Sequence, residues 1–238
     1  MENPLIVGSK CYRLTEIEST NDYAKQILTH APEGTVVVAD VQTAAKGRMG
    51  RSWYSPEGGL WMSVLLQHHE NYLISLIAGV SICEAFEPYD IAARIKWPND
   101  VFLNDKKIAG TLCEVIDDKI ILGIGINLNV RHFPDDLSGK ASSVLIETKK
   151  HFDTQSFYHH LCRSLDNNYR VLKKKEIEVL LSKWRKHSLM VGREVSIMVH
   201  DRVVIGKVLD VDHQGALIVM RADYGIEHVI AGDCRLLR

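Results

Sequence analysis

Gln42-Thr43-Ala44-Ala45-Lys46-Gly47-Arg48-Met49-Gly50-Arg51-Ser52-Trp53 packs three cations, two glycines and an indole into a stretch with almost nothing apolar to bury. It follows Thr35-Val36-Val37-Val38-Ala39, a β-branched run that predicts a buried strand. Glycine lets backbone N–H groups turn toward a ligand with no Cβ in the way. Arg48 and Arg51 present forked donors suited to phosphate or carboxylate oxygens, and Trp53 offers a flat face to a purine. A strand ending in such a loop suits a small anion attached to a nucleotide. The plain alternative is a solvated basic loop.

Upstream, Lys10 to Ile17 reads as a first strand. Ser19-Thr20-Asn21-Asp22 supplies N-cap chemistry for a helix with Tyr23, Ala24, Ile27 and Leu28 on its apolar face. Those hydroxyls either only cap the helix or also point at a ligand. Downstream, Ser55-Pro56-Glu57-Gly58-Gly59 is a turn, and Leu60 to Leu66 is a strand apolar on both faces. Asn71 caps a long apolar helix that ends at Glu87-Pro88. Ile91 to Trp97 is a strand stopped by Pro98, and Val101–Leu103 with Lys107–Val115 forms a hairpin around Asn104-Asp105-Lys106.

Ile120 to Val130 reads as a strand carrying Gly123 and Gly125. Glycines at alternate positions leave one face bare, so either a ligand or a crossing helix approaches the backbone there. This is not a dinucleotide fingerprint, because the third glycine and the opening helix are missing. Arg131 to Ala141 is an irregular loop, followed by helices from Asp153-Thr154 and from Glu176 to Lys186. The adjacent pairs His68-His69 and His159-His160 point different ways and make poor metal sites. From Val191 on there are short strands at 194–199, 203–211, 216–220 and 227–230, the pattern of a small antiparallel barrel. The predicted division is 1–188 and 189–238.

The 238 residues are 46% hydrophobic and 25% charged, enough for one core plus a small appendage. A formal net charge of -1 argues against wholesale nucleic-acid binding. Five scattered cysteines without a C-x-x-C fit free core thiols in a reducing cytoplasm. No signal segment or membrane span is evident.

Four segments now stand in one order: Ser19-Thr20-Asn21, the Gln42–Trp53 loop, Lys96-Trp97-Pro98-Asn99-Asp100 with Lys107-Ile108-Ala109-Gly110, and Gly123-Ile124-Gly125-Ile126-Asn127. With the closing barrel, this pattern resembles the biotin protein ligases over nearly the whole chain. The resemblance implies an α+β fold: a mixed sheet with flanking helices, like the class II aminoacyl-tRNA synthetases, plus a C-terminal SH3-like β-barrel. It implies that biotin and ATP give biotinyl-5′-adenylate, with Mg²⁺ accompanying ATP, and that biotin then passes to a lysine of a biotin carboxyl carrier protein domain. Two departures stand out. Ala45 and Lys46 replace a glycine and an arginine of the family's Gly-Arg-Gly-Arg-x-Gly loop, and the sequence starts almost at once with the catalytic pattern, so the resemblance implies the monofunctional type, expected to lack a helix-turn-helix. No DNA and no membrane partner is expected, and the chain is expected to be a monomer or homodimer.

By the same resemblance Ser19, Thr20, Asn21 and Gln42 meet the biotin ring, and Ala45, Lys46, Gly47 and Arg48 close over it. Lys107 holds the carboxylate and α-phosphate, while Gly110, Gly123 and Gly125 form a bare floor. Arg51, Trp53, Asn99, Asp100, Asn127 and Asn129 belong to the ATP side, with Asp100 the candidate Mg²⁺ ligand. Arg48 and Lys107 are the candidate catalytic residues. The chemistry agrees, because a carboxylate attacking a phosphate needs cations between two anions, and Arg48, Arg51 and Lys107 can supply them. Trp53 and Trp97 also read as core aromatics, and Asp100 as a turn residue. The nearest alternative is a lipoate ligase, which uses the same acyl-adenylate chemistry. A non-enzymatic nucleotide or nucleic-acid module is the alternative from another class.

Overall fold

The computed structural model describes residues 4–67 and 71–237, with backbone alone for 71 and 72. His68-His69 and the Asn71 side chain therefore lie outside the described residues. Seven strands form one mixed sheet: β1 (Cys11–Ile17), β2 (Val36–Gln42), β3 (Leu60–Gln67), β4 (Arg94–Lys96), β5 (Asp100–Leu103), β6 (Lys106–Ile116) and β7 (Lys119–Ile126). Their order is β1-β2-β3-β7-β6-β5-β4, with β1 and β2 parallel and the other pairs antiparallel. Gln42 is thus the last residue of β2, and the basic loop begins where that strand leaves the sheet.

One face of the sheet is covered by α2 (Asn71–Phe86), α4 (Thr154–Lys173) and α5 (Ile177–His187). α2 is apolar all round and its described side chains are largely buried, so it forms the centre of the core. A five-residue helix, α3 (Val144–Thr148), was not anticipated; Ser143 caps it by accepting from the Ile146 N–H. On the other face α1 (Thr20–Ile27) buries Ala24, Ile27 and Leu28 against Val37, Leu65 and Ile121. Ser19 caps α1 through the Asp22 N–H, as its sequence predicts.

After α5 the chain enters a five-stranded antiparallel sheet: β8 (Glu194–Val199), β9 (Arg202–Val211), β10 (Leu217–Arg221), β11 (Ile226–Val229) and β12 (Asp233–Leu236), in the order β11-β10-β9-β8-β12. β12 is absent from the sequence reading. Its Asp-Cys-Arg-Leu run alternates over only four residues, too short to mark a strand by itself, and it pairs with the edge that β8 offers. Val195, Ile197, Val208, Leu217 and Cys234 join the same hydrophobic cluster as α2 and the first sheet. The junction is tied by Leu189 N–H to Ile95 O (2.8 Å) and by the Trp97 indole to Gly215 O (3.1 Å). Trp97 is therefore both a core aromatic and a clasp between the two sheets. All five cysteines are free, and no helix among the described residues is long and apolar enough to cross a membrane.

Candidate active site

A cavity of about 910 Å³ opens on the α1 side of the first sheet. Its floor follows from strand register. Gly110 of β6 pairs directly with Gly125 of β7, and Asp100 of β5 pairs with Gly110. One row further along, Gly123 pairs with Ser63 of β3. The protein itself makes the close approach these glycines permit. A Cβ at Gly125 would lie 2.4 Å from Trp53 Nε1, and one at Gly110 would lie 3.1 Å from the same ring. A Cβ at Gly123 would lie 2.5 Å from Asn21 Oδ1.

The basic loop folds back over this floor as a short hairpin. Gly47 N–H donates to Arg51 O and Trp53 N–H to Ala45 O, at 2.6 and 2.9 Å. The tip, Met49 and Gly50, takes positive φ angles of 58° and 72°, which explains the glycine and leaves Met49 outside. The substituted position Lys46 reaches Asp22 of α1 at 3.3 Å, and Arg51 reaches Asp233 of β12 at 3.5 Å. Arg48 donates to Asn99 Oδ1 (3.1 Å), and Asn99 in turn donates to Thr111 O (2.7 Å).

Lys107 lies at the centre. Its ammonium is 2.6 Å from Asp100 and 5.0 Å from the centre of the Trp53 ring. Asp100, the candidate Mg²⁺ ligand, presents one carboxylate oxygen to Lys107. Among the described residues no group of three or more His, Cys, Asp or Glu is placed to hold a metal ion. The described side chains thus build no metal site of their own.

At the closed end, Thr20 N–H donates to Gln42 Oε1 (2.8 Å) and Gln42 Nε2 donates to Ser55 Oγ (3.0 Å). Asn21 donates to Glu114 (2.7 Å), which also pairs with Lys25 (2.9 Å). The Lys25 contact, with help from Lys46, holds the Asp22 carboxyl below its ordinary range against the opposing effect of burial. Asn127 donates to Ser142 O, while its buried Oδ1 has no partner among the described residues and the residue lines the cavity.

Of the residues expected here, Ser19, Thr20, Asn21, Gln42, Ala45, Lys46, Gly47, Arg48, Arg51, Trp53, Asn99, Asp100, Lys107, Gly110, Gly123, Gly125 and Asn127 all line the one cavity. Asn129 does not. β7 ends at Ile126, and the Asn129 amide is used twice on Phe152, accepting from its N–H and donating to its O, each at 2.9 Å. Sequence reading missed Tyr54, Phe133 and Leu137, an apolar wall from the following loop, as well as Cys234 and Arg235 of β12. Burial pushes the Cys113 thiol up to about 11 and the Cys234 thiol up to about 12, so neither is an activated nucleophile.

Residues 14–130 match the biotin/lipoate A/B protein ligase family and residues 191–237 the biotin protein ligase C terminal domain. The bifunctional ligase/repressor BirA of Bacillus subtilis is 32% identical over 234 residues, 92% of this chain and 72% of that protein. The biotin–[acetyl-CoA-carboxylase] ligase of Mycobacterium tuberculosis is 29% identical over 250 residues, covering 97% of this chain and 91% of that protein. The biotin protein ligase of Aquifex aeolicus, solved in complex with biotin and ATP, superposes with a TM-score of 0.88 at 32% identity. That match covers 96% of this chain and 99% of the other. The cavity, the second sheet and these matches agree, and the chain belongs to the biotin protein ligases.

Proposed function

We propose that this protein joins biotin to ATP as biotinyl-5′-adenylate, releasing pyrophosphate, and then passes biotin to a lysine of a carrier domain of a biotin-dependent carboxylase. The observation that carries this reading is the convergence of Lys107, Arg48 and Arg51 on one cavity that has a paired-glycine floor and a polar closed end. Two anions must meet there. Biotin's carboxylate is the nucleophile and the α-phosphate its target, so no activated side chain is needed. Lys107 sits beside Asp100 with its charge already oriented, so little reorganisation is required as negative charge builds on the α-phosphate.

Arg48 is assigned to the loop side of the adenylate and Arg51 to the phosphates. Thr20, Asn21 and Gln42 are assigned to the ureido ring, and Asn127, with its unpartnered acceptor, to the nucleotide. The hairpin over the floor is suited to keeping water from a mixed anhydride that hydrolyses readily. We divide the chain into a catalytic part, 1–188, and a C-terminal part, 189–238. The change from mixed sheet and helices to short antiparallel strands supports that division, and β12 lends the second part a share of the cavity wall. The relatives' names and the second family match favour biotin over lipoate.

The deciding experiment is exchange of labelled pyrophosphate into ATP, run with biotin and separately with lipoate. Exchange that depends on biotin is expected. Exchange with lipoate alone, or with neither, overturns the assignment.

A further inference from the structure

Four oxygens stand in a row at the closed end of the cavity: Asn21 Oδ1, Ser63 Oγ, Thr20 Oγ1 and Gln42 Oε1. The successive separations are 2.5, 2.7 and 3.0 Å. Each is a hydrogen-bond distance, so each contact calls for one proton. The protons available can be counted from the chemistry of the groups.

Both ends of the row are acceptors. Gln42 Oε1 already accepts the Thr20 backbone N–H while its Nε2 donates to Ser55, which fixes the amide orientation. Asn21 is fixed from the other side. Its Nδ2 donates to Glu114 Oε2, and the second oxygen of that carboxylate is taken by Lys25, itself held by Asp22 at 2.7 Å. An ionised carboxylate accepts only, so Asn21 cannot turn its oxygen that way and must face Ser63 with it. Between the ends are two hydroxyls, and they carry two protons for three contacts. One contact is left as lone pair against lone pair.

Ser63 is fully buried, whereas Thr20 and Gln42 line the cavity. The shortage can therefore be relieved from the cavity side, by a donor entering between Thr20 Oγ1 and Gln42 Oε1. We infer that Glu114 is a positioning residue. Acting through Asn21 and Ser63, it leaves the Thr20–Gln42 pair one proton short, and so selects a ligand ring that brings an N–H to that point. This rests on the biotin reading above and adds its source of specificity. Biotin's cyclic urea carries two N–H groups; the dithiolane ring of lipoate carries none. A buried acceptor left without its donor costs about 1–3 kcal/mol, or roughly fivefold to a little over a hundredfold in affinity.

The test compares biotin with its ureido-N-methylated analogue, using calorimetry and exchange kinetics on the full chain. In Glu114→Gln the new amide donates to Asn21 Oδ1, Asn21 turns its Nδ2 to Ser63, and the row gains its third proton. The preference for biotin over the analogue should then fall by about tenfold, mostly through the KM for biotin and with little change in kcat. The steric cost of the methyl group is common to parent and variant and leaves the comparison intact. Ser63→Ala removes the shortage by another route and should give the same loss. The double variant should lose no more than either single one. A parental preference in folded Glu114→Gln or Ser63→Ala overturns the inference while biotin-dependent exchange keeps the function standing. A parent chain that does not bind biotin overturns both.

Discussion

The Lys107 ammonium is held between the Asp100 carboxylate, 2.6 Å away, and the face of Trp53, 5.0 Å from its ring centre. A flexible lysine is thereby fixed before any ligand arrives, and its charge points into the cavity. Lys107→Ala should lower pyrophosphate exchange by two to three powers of ten, since removing one preorganised donor costs on the order of 3 kcal/mol. The circular dichroism spectrum should not change. A variant that exchanges at the parental rate removes Lys107 from the mechanism.

Arg48 ties the loop to Asn99, which is itself tied to β6. Replacing it by glycine should loosen the loop over the adenylate. Biotin should then appear on surface lysines of unrelated proteins added to the reaction, and adenylate turnover without carrier should rise. Loss of activity with no such leakage would assign Arg48 to the chemical step alone.

Gly125 exists so that Trp53 can lie flat, because a Cβ there would stand 2.4 Å from the indole nitrogen. Gly125→Ala should push the ring off the floor at a cost of about 1–3 kcal/mol, with a red shift in tryptophan emission and weaker binding of both substrates. If affinity is unchanged, the Trp53 position is incidental to binding.

His187 lies at the junction with the second sheet, and burial, aided by Lys186 and Arg94, lowers its pKa from 6.5, while Glu87 and Glu84 act in the opposite sense. The folded chain thus takes up this proton less readily than the unfolded chain. Its contribution to stability is complete above pH 6.5 and is lost as the pH falls from there through the lowered folded value. His187→Gln should flatten the fall in melting temperature between roughly pH 7.5 and 5.5. An unchanged slope would place the titration elsewhere.

Much of this was legible because local chemistry and final structure agree. Ser19 caps α1 as its side chain suggests, and Asn104 and Asp105 take φ angles of 48° and 62° in the hairpin turn where their positions predicted one. The loop cations and the paired glycines stand out in the sequence by themselves, whereas Ser19, Thr20, Gln42, Lys107 and Asn127 were assigned through the resemblance to biotin protein ligases. Ser63 and Glu114 were overlooked because each lies within a strand that reads as core, and only a polar residue in an apolar run marked them. Asn129, assigned to the ATP side by the resemblance alone, lies past the end of β7 with its amide spent on Phe152. β12 and the Phe133 wall depend on neighbours distant in the sequence, which no local pattern encodes.

The pairing of Ser63 with Gly123 has a consequence for how this site can change over evolutionary time. A strand displaced by one residue turns every side chain to the opposite face. A single insertion or deletion in β3 or β7 would therefore move the buried hydroxyl away from Asn21 and bring a bulky neighbour onto the floor in place of glycine. Drift at the loop tip, such as Met49, or the exchange to Lys46, leaves that alignment untouched. The alignment of the ring pocket is thus stored as a count of residues along two strands, and only loop positions that face away from the cavity, such as Met49, are free to be rewritten.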